Sequence, residues 1–311
     1  MEQLKVKDIS QDKISWVKCW IRALRLPFIT ASILPFIAGT FLFNARIDFL
    51  KFSVGLAAVM ATHLGANLIN DYADSRSGCD WQDMKFYGFF GGSKLIQEKV
   101  LSEKSYLKAS IGVFALALLS VFLLIVLLKS ASVVGFYMII LFLGVSYSHG
   151  PLRFSYRYLG EPVIFTLFGP ALVMGGYFIQ SHIFPSMSAF VLSVPFGLLT
   201  AAILFCNEVP DYQEDLKAKK FTWVKLTGAE YAYVLYYILV FTGMILVLIN
   251  IQRGVLSLIC LGVLVCIPLV VKAGTILKKD YNNKDKLVEA SKLTILSQTV
   301  TGVLIVLDLI I

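Results

Sequence analysis

Long apolar segments separated by short polar connections run along the whole chain. A membrane-spanning helix needs about 20 mainly apolar residues, and these segments reach that length. The pattern predicts nine spans, at 24–43, 52–70, 108–128, 131–148, 160–180, 188–206, 229–250, 254–272 and 292–311. The sequence therefore predicts an all-α, polytopic membrane protein with nine transmembrane helices.

The composition supports this interpretation, because 58% of the residues are hydrophobic and only 15% are charged. A soluble globular domain is ordinarily less apolar and more charged. No long linker or low-complexity tract interrupts the apolar segments, so we expect one domain over residues 1–311. The five cysteines form no CxxC pair and show no metal-binding spacing, which favours a packing role for them.

Basic residues are distributed unevenly between the connections. Of the 28 Lys and Arg residues, 24 fall in the N-terminal tail and in the connections after the second, fourth, sixth and eighth spans. The positive-inside rule then predicts a cytoplasmic N-terminus and an external C-terminus, in a cell membrane. The net charge of +8 would meet anionic lipid and phosphorylated substrates there, which disfavours nucleic acid as a partner. No feature indicates an obligate protein partner.

A polar motif is repeated where the second and sixth spans end. Its residues are Asn67, Asp71 and Asp74 in the first copy and Asn207, Asp211 and Asp215 in the second. Residues three or four positions apart share one face of a helix, so each copy should present its side chains together. Dense carboxylates repel one another and usually need a bound cation. Magnesium suits them, because it takes one or two carboxylates and fills its other positions with water and phosphate oxygens.

The two motifs resemble those of a known family. Residues 70–80, NDYADSRSGCD, look like the first Asp-rich motif of the UbiA-type intramembrane prenyltransferases, and residues 207–215, NEVPDYQED, resemble the second. The resemblance implies a helical bundle around a central cavity that cytoplasmic loops cap. It also implies magnesium-dependent transfer of a prenyl group from a polyprenyl diphosphate. Asp71, Asp74, Asp211 and Asp215 would be the metal ligands and catalytic residues.

Three further segments resemble the 1,4-dihydroxy-2-naphthoate branch of this family: Gly78-x-Asp80, residues 91–96 and residues 158–161. That branch implies an aromatic acceptor in menaquinone biosynthesis. The common first motif has Asp where this chain has Gly78, so a metal-binding role for Asp80 stays open. The alternatives are a 4-hydroxybenzoate or glycerophosphate acceptor and, from another class, a transporter or a non-catalytic lipid-binding protein.

Basic and polar residues near the motifs are candidates for binding the diphosphate. They are Asn67, Asn207, Arg22, Lys94, Tyr147 and Arg153, with Arg25 as an alternative to Arg22. Tyr147 and Arg153 are included because of the family resemblance, whereas Arg22, Arg25 and Lys94 could equally anchor helix ends at the membrane surface. Neither motif contains a histidine that could act as a base. His63 and His149 lie nearby, but a polar packing contact is the favoured interpretation for both.

Overall fold

The structure, a computed structural model, describes residues 15–311. The first 14 residues of the basic tail lie outside this range. Thirteen α-helices occur in the described range: α1 (Trp16–Ala23), α2 (Thr30–Phe41), α3 (Phe49–Ser77), α4 (Glu103–Leu128), α5 (Ser132–Ser148), α6 (Gly160–Phe168), α7 (Pro170–Ser181), α8 (Met187–Glu208), α9 (Tyr212–Lys217), α10 (Trp223–Thr227), α11 (Ala232–Gln252), α12 (Ile267–Lys279) and α13 (Lys284–Ile310). Short 3₁₀ helices at Leu26–Phe28, Cys79–Trp81, Phe154–Tyr156, Ala229–Tyr231 and Leu258–Cys266 join some of them.

All nine predicted segments are helical, but within residues 15–311 fewer of them qualify as simple spans. Seven helical segments are long and apolar enough to cross a bilayer. An eighth is formed if α1 and the segment Leu26–Phe41 count as one span despite a bend of 44° between them. The ninth, α5, is apolar but has only 17 residues, which is about 26 Å of helix. The structure thus gives seven or eight candidate spans where the apolar pattern predicted nine.

Local sequence explains where the first helix breaks. Arg25 adopts a left-handed conformation with φ of 51°, and Pro27 follows within the next turn. Proline has no N–H to donate to the preceding helical turn, so together with the left-handed residue it favours a break here. The break brings the side chain of Arg25 towards α3, where it becomes part of the site described below.

Helix α3 is long enough to carry polar residues beyond the bilayer core. Its 29 residues span about 44 Å, whereas the hydrocarbon core is about 30 Å thick. The side chain of Asp48 caps its start by accepting from the amides of Leu50 and Lys51. Asp71 and Asp74 lie on its last two turns, so the first Asp motif stands at one end of the bundle.

Helix α3 packs along α4, α2 along α7, and α8 against α11. The α2–α7 contact needs small residues, because a side chain at Gly39 or Gly176 would overlap a backbone carbonyl of the other helix. Such contacts are typical of helices that associate within lipid. Large side chains on α4, including Ile111 and Phe122, are 60% exposed and form an outward apolar face. The bundle thus has a close-packed interior and an apolar surface.

Candidate functional site

A cavity of about 260 Å³ lies between the ends of α3 and α8 that carry the two Asp motifs. Along α3 its wall runs from His63 to Asp74, a distance of about 16 Å. The wall is polar near the Asp motifs and apolar away from them. The apolar part includes Phe28, Ala31, Ile164, Leu167, Phe168, Ile203 and Leu204. The cavity can therefore receive a molecule with a charged head and a long apolar tail.

The two Asp motifs, which are distant in sequence, meet at this cavity. Asp74 lines it from α3, and Asp211 and Asp215 line it from the segment that follows α8. The fourth predicted ligand, Asp71, is only 2% exposed and lies behind the lining. Its carboxylate forms an ion pair with the guanidinium of Arg25. The structure thus brings three of the four carboxylates to the cavity and pairs the fourth with a fixed cation.

One loop bonds to both motifs through its backbone. The amide of Ser93 donates to Asp71 Oδ2 at 3.2 Å, and the amide of Gly91 donates to Asp211 Oδ2 at 3.0 Å. Gly91 and Gly92 have φ of 72° and 77°, a left-handed conformation that glycine adopts without strain. These two glycines let the amides of Gly91 and Ser93 point at carboxylates from the two different motifs. The loop therefore fixes the distance between the motifs.

Asp80 is buried beside the same loop. The ammonium group of Lys94 donates to the Asp80 carbonyl oxygen at 2.8 Å and lies 3.2 Å from Asp80 Oδ1. Burial, and then the nearby Asp74 carboxylate, raises the pKa of Asp80 to about 7. Both side chains also line the cavity, so this pair borders the charged end of the site.

A second lysine, Lys220, pairs with an aspartate of the second motif. Lys220 lies 3.3 Å from Asp215 Oδ1, and the Cys79 thiol is 3.8 Å from the same oxygen. Burial raises the pKa of Asp215, and burial together with the Asp215 charge raises the pKa of Asp211 to about 7. For Lys220 burial acts in the opposite direction, but the surrounding anions, Asp215 first, raise its pKa well above the ordinary value. The site is therefore a mixed cluster of buried anions and cations.

The carboxylate oxygens of the site suit a hard cation whose remaining ligands are water and phosphate oxygens. Asp215 Oδ2 and Glu214 Oε2 are buried and have no hydrogen-bond partner. Within residues 15–311, no three His, Cys, Asp or Glu side chains are grouped closely enough to hold a metal by themselves. Magnesium needs no such group, because it keeps water and takes phosphate oxygens as its remaining ligands. The carboxylates therefore fit magnesium that is bound together with a phosphorylated substrate.

Comparison with known proteins decides the family. A sequence profile described as the UbiA prenyltransferase family matches residues 32–296, most of the chain. The chain belongs to the UbiA prenyltransferase family. It is thus a prenyltransferase and a multi-pass membrane protein.

Relatives from animals and bacteria have sequences similar to that of this chain. The UbiA prenyltransferase domain-containing protein 1 of Xenopus tropicalis is 29% identical over 249 residues, which cover 78% of this chain and 69% of that protein. The 1,4-dihydroxy-2-naphthoate octaprenyltransferase of Bacillus subtilis is 27% identical over 203 residues, 64% of this chain. The match to the Bacillus enzyme spans 63% of that protein's length, less than two thirds.

A solved structure shares the UbiA fold. The UbiA homologue from Archaeoglobus fulgidus, whose structure holds GPP and Mg²⁺, superposes with a TM-score of 0.58 at 16% identity. The superposition covers 93% of this chain and 99% of that one. At this identity the likeness establishes the fold of the chain.

The structure divides the predicted diphosphate-binding residues of this UbiA protein into two groups. Asn67, Lys94, Tyr147 and Asn207 line the cavity. The Asn67 amide also donates to the Leu24 carbonyl at 3.0 Å, whereas the buried Asn207 Oδ1 has no partner. Their position agrees with contact to a substrate, and the contact itself stays a prediction.

Arg22 and Arg153 do not line the cavity. Arg22 donates to the Ser93 carbonyl at 2.6 Å and to Glu98 at 2.7 Å, so it fastens the loop from outside. Arg153 lies in a separate depression and stacks over Tyr156 at 5.4 Å. Arg25, the alternative to Arg22, lines the cavity instead. The left-handed turn at Arg25, which sequence periodicity does not reveal, directs these two neighbouring arginines to different places.

Lys220 and Glu208 were not among the predicted site residues, although both line the cavity. Each had a signal in the sequence, since Lys220 ends a basic run and Glu208 is the second residue of the motif at 207–215. His63 has the expected polar contact at one nitrogen, because its Nδ1 bonds to Ser32 Oγ at 2.6 Å. His149 instead makes an aromatic contact, since it stacks on Tyr72 with ring centres 6.4 Å apart.

Proposed function

We propose that this protein transfers a prenyl group from a polyprenyl diphosphate to 1,4-dihydroxy-2-naphthoate, as a magnesium-dependent step of menaquinone biosynthesis. The observation that carries the proposal is the convergence of two Asp motifs at the polar end of a cavity with an apolar wall. Two relatives support parts of this proposal. The Bacillus relative is named for this acceptor, and the Archaeoglobus structure holds a prenyl diphosphate with Mg²⁺.

The charged end of the cavity would hold the diphosphate. Asp74, Asp211 and Asp215 would bind magnesium, and Asp71 would contribute either as a fourth ligand or through its pair with Arg25. Bound magnesium would neutralise the negative charge that builds on the diphosphate as the allylic C–O bond breaks. Among the chain's own residues, Lys94, Lys220 and Arg25 would add fixed positive charges around the same oxygens.

The apolar wall would hold the prenyl chain and keep water away from the reacting carbon. An allylic cation that meets water is hydrolysed, so exclusion of water protects the transfer. Phe168 and Tyr147 both line the cavity, and their ring faces can stabilise a passing cation. The acceptor would approach between this apolar region and the carboxylates.

For the topology we propose nine crossings, in which the bent α1–α2 pair and the short α5 join the seven longer segments. The N-terminus would then lie on the same side as the Asp motifs, in the cytoplasm, and the C-terminus outside. The uneven distribution of Lys and Arg supports this orientation. Thiol labelling from each side of sealed vesicles, with single cysteines placed at Arg157 and Arg253, tests it.

A transfer assay in membranes tests the proposed function. A radiolabelled polyprenyl diphosphate is supplied with 1,4-dihydroxy-2-naphthoate, 4-hydroxybenzoate or glycerol phosphate, with magnesium or with a chelator. We expect a magnesium-dependent lipid product with the naphthoate and none with the other two. Product with only 4-hydroxybenzoate or only glycerol phosphate would contradict the proposed acceptor. Binding of the donor without product from any acceptor would contradict the proposed transfer.

A further inference from the structure

Two buried glutamates face each other between α6 and α8. Glu161 is 1% exposed and Glu208 is 4% exposed, and their carboxyl groups are close enough to interact electrostatically. Two carboxylates that are buried together repel each other, which makes each of them a better acceptor for a proton.

Most oxygens of this pair have no hydrogen-bond partner in the described part of the chain. Glu161 Oε1 accepts from the Trp223 amide at 3.2 Å, which fixes that carboxyl group in place. Glu161 Oε2 and both oxygens of Glu208 have no hydrogen-bond partner among residues 15–311. Buried polar atoms are rarely left without partners. Unpartnered carboxylate oxygens therefore point to a ligand that supplies a donor.

The pair lies where the chemistry would occur. Glu208 lines the cavity and stands one helical turn before Asp211. The other charged or titratable groups that face it are Tyr147, Lys220 and Asp215. His63 also lines the cavity and has an unpartnered Nε2, but it lies about 16 Å along α3 from Asp74. Of these two groups, Glu208 is the one beside the Asp motifs.

We propose that Glu208, which lies beside Glu161, is the base that takes a proton from the aromatic acceptor. This inference rests on the proposed function. The acceptor's ring hydroxyl gives its proton to the Glu208 carboxylate, and the electron-rich ring carbon forms a bond to the first carbon of the prenyl group. The C–O bond of the donor breaks, and diphosphate leaves with the electron pair. Glu161, fixed by the Trp223 amide, keeps a second carboxyl group beside Glu208 and so favours uptake of the proton.

The pair suits this step for an electrostatic reason. The Glu208 carboxylate lies near the cation Lys220, and it loses its negative charge when it accepts the proton. A base that becomes neutral when it accepts a proton leaves no new charge in the apolar cavity. The acceptor hydroxyl would also supply the missing donor for the free Glu208 oxygens.

The test compares Glu208→Gln, Glu161→Gln and Glu208→Asp, with Glu289→Gln as a control at a half-exposed site that pairs with Lys272. Donor binding is measured with a non-hydrolysable prenyl diphosphate analogue and magnesium. Transfer is measured with a series of ring-substituted acceptors whose hydroxyl groups differ in acidity. Glutamine keeps the shape of glutamate but cannot accept the proton.

We expect Glu208→Gln to lower the transfer rate about 100-fold while donor binding is unchanged, as for loss of a general base. The loss should shrink as the acceptor hydroxyl becomes more acidic, because such acceptors need less help in losing the proton. Glu208→Asp should recover part of the rate, Glu161→Gln should show a smaller loss, and Glu289→Gln none.

Unchanged transfer by Glu208→Gln would overturn this inference and leave the proposed function intact. Equal losses for all acceptors, or a parallel loss of donor binding, would show a structural or metal-binding role and would also overturn it. No product from the unmodified protein with any aromatic acceptor would overturn both this inference and the proposed function.

Discussion

The carboxylate of Asp211 accepts a hydrogen bond from the backbone amide of Gly91 at 3.0 Å. These residues are 120 positions apart, and the same loop reaches Asp71 two residues later through Ser93. A single turn of backbone thus holds carboxylates from both halves of the chain. The loop after α3 is therefore a part of the candidate site and not only a connection between helices.

The conformation of this loop makes Gly92 sensitive to substitution. Its φ is 77°, and an added Cβ would lie 2.6 Å from Asp80 Oδ2. We expect Gly92→Ala to cost about 1–3 kcal/mol of stability through backbone strain and to lower transfer activity as well. Thermal unfolding in detergent and the transfer assay measure the two effects.

Gly254→Ala is the matched control, because Gly254 has a similar φ of 70° with no atom near the added Cβ. It should lose stability but keep its activity at a temperature where it is folded. An equal loss of activity in both variants would contradict the role assigned to the loop after α3.

Arg25 should be important for stability as well as for the site. Removing one partner of a buried ion pair leaves an uncompensated charge, so Arg25→Gln should cost about 3 kcal/mol. Combining Arg25→Gln with Asp71→Asn should recover part of the lost stability. Unfolding by denaturant in mixed micelles measures the free energy of unfolding of both variants. Arg76→Gln, which breaks the exposed pair with Glu103, should cost no more than about 0.5 kcal/mol. Similar losses for Arg25→Gln and Arg76→Gln would argue against the buried pair.

The binding of magnesium should depend on pH through Asp211. Burial, with Asp215 nearby, raises the pKa of Asp211 from 3.8 to about 7. Between about pH 4 and 7 the folded protein then holds a proton that the unfolded chain has lost. Without metal, the contribution of this group to stability is therefore present at low pH and is lost as the pH rises through 7.

Magnesium must displace the same proton, so the metal should stabilise the protein more strongly at pH 8 than at pH 6. The shift in unfolding temperature caused by magnesium, in the presence of a prenyl diphosphate analogue, measures this difference. Asp211→Asn should reduce the difference between the two pH values. A magnesium effect that is larger at pH 6 than at pH 8 would contradict this prediction.

Much of the architecture could be predicted from local sequence. Apolar windows predicted the helices because a bilayer fixes the length that a span needs. The spacing of Asp71 and Asp74 placed both on one face of α3 because helical periodicity is a local property. The shortness of α5 and the bend at Arg25 were harder to predict, since hydropathy averages over a window and does not resolve single helical turns.

The contacts within the site depend on tertiary packing and could not be predicted in this way. Arg22 and Arg25 are equivalent by composition, but one left-handed residue sends only Arg25 into the cavity. The pairing of Glu161 with Glu208 joins two helices whose relative rotation no local pattern specifies. Lys94 was predicted to bind diphosphate, yet its nearest anion in the structure is Asp80, which only the fold of the loop brings close.

The central claim is that both Asp motifs act together on one magnesium-bound diphosphate. The most direct measurement is the magnesium-dependent rate of prenyl transfer to 1,4-dihydroxy-2-naphthoate by the unmodified protein, Asp74→Asn, Asp211→Asn and the double variant. Asp280→Asn serves as a control, because Asp280 pairs with Lys286 away from the cavity. We predict that each single variant loses at least about 100-fold, that the double variant is little worse than either, and that the control is unaffected. Full activity in Asp74→Asn or Asp211→Asn, or transfer that proceeds without magnesium, would contradict the account.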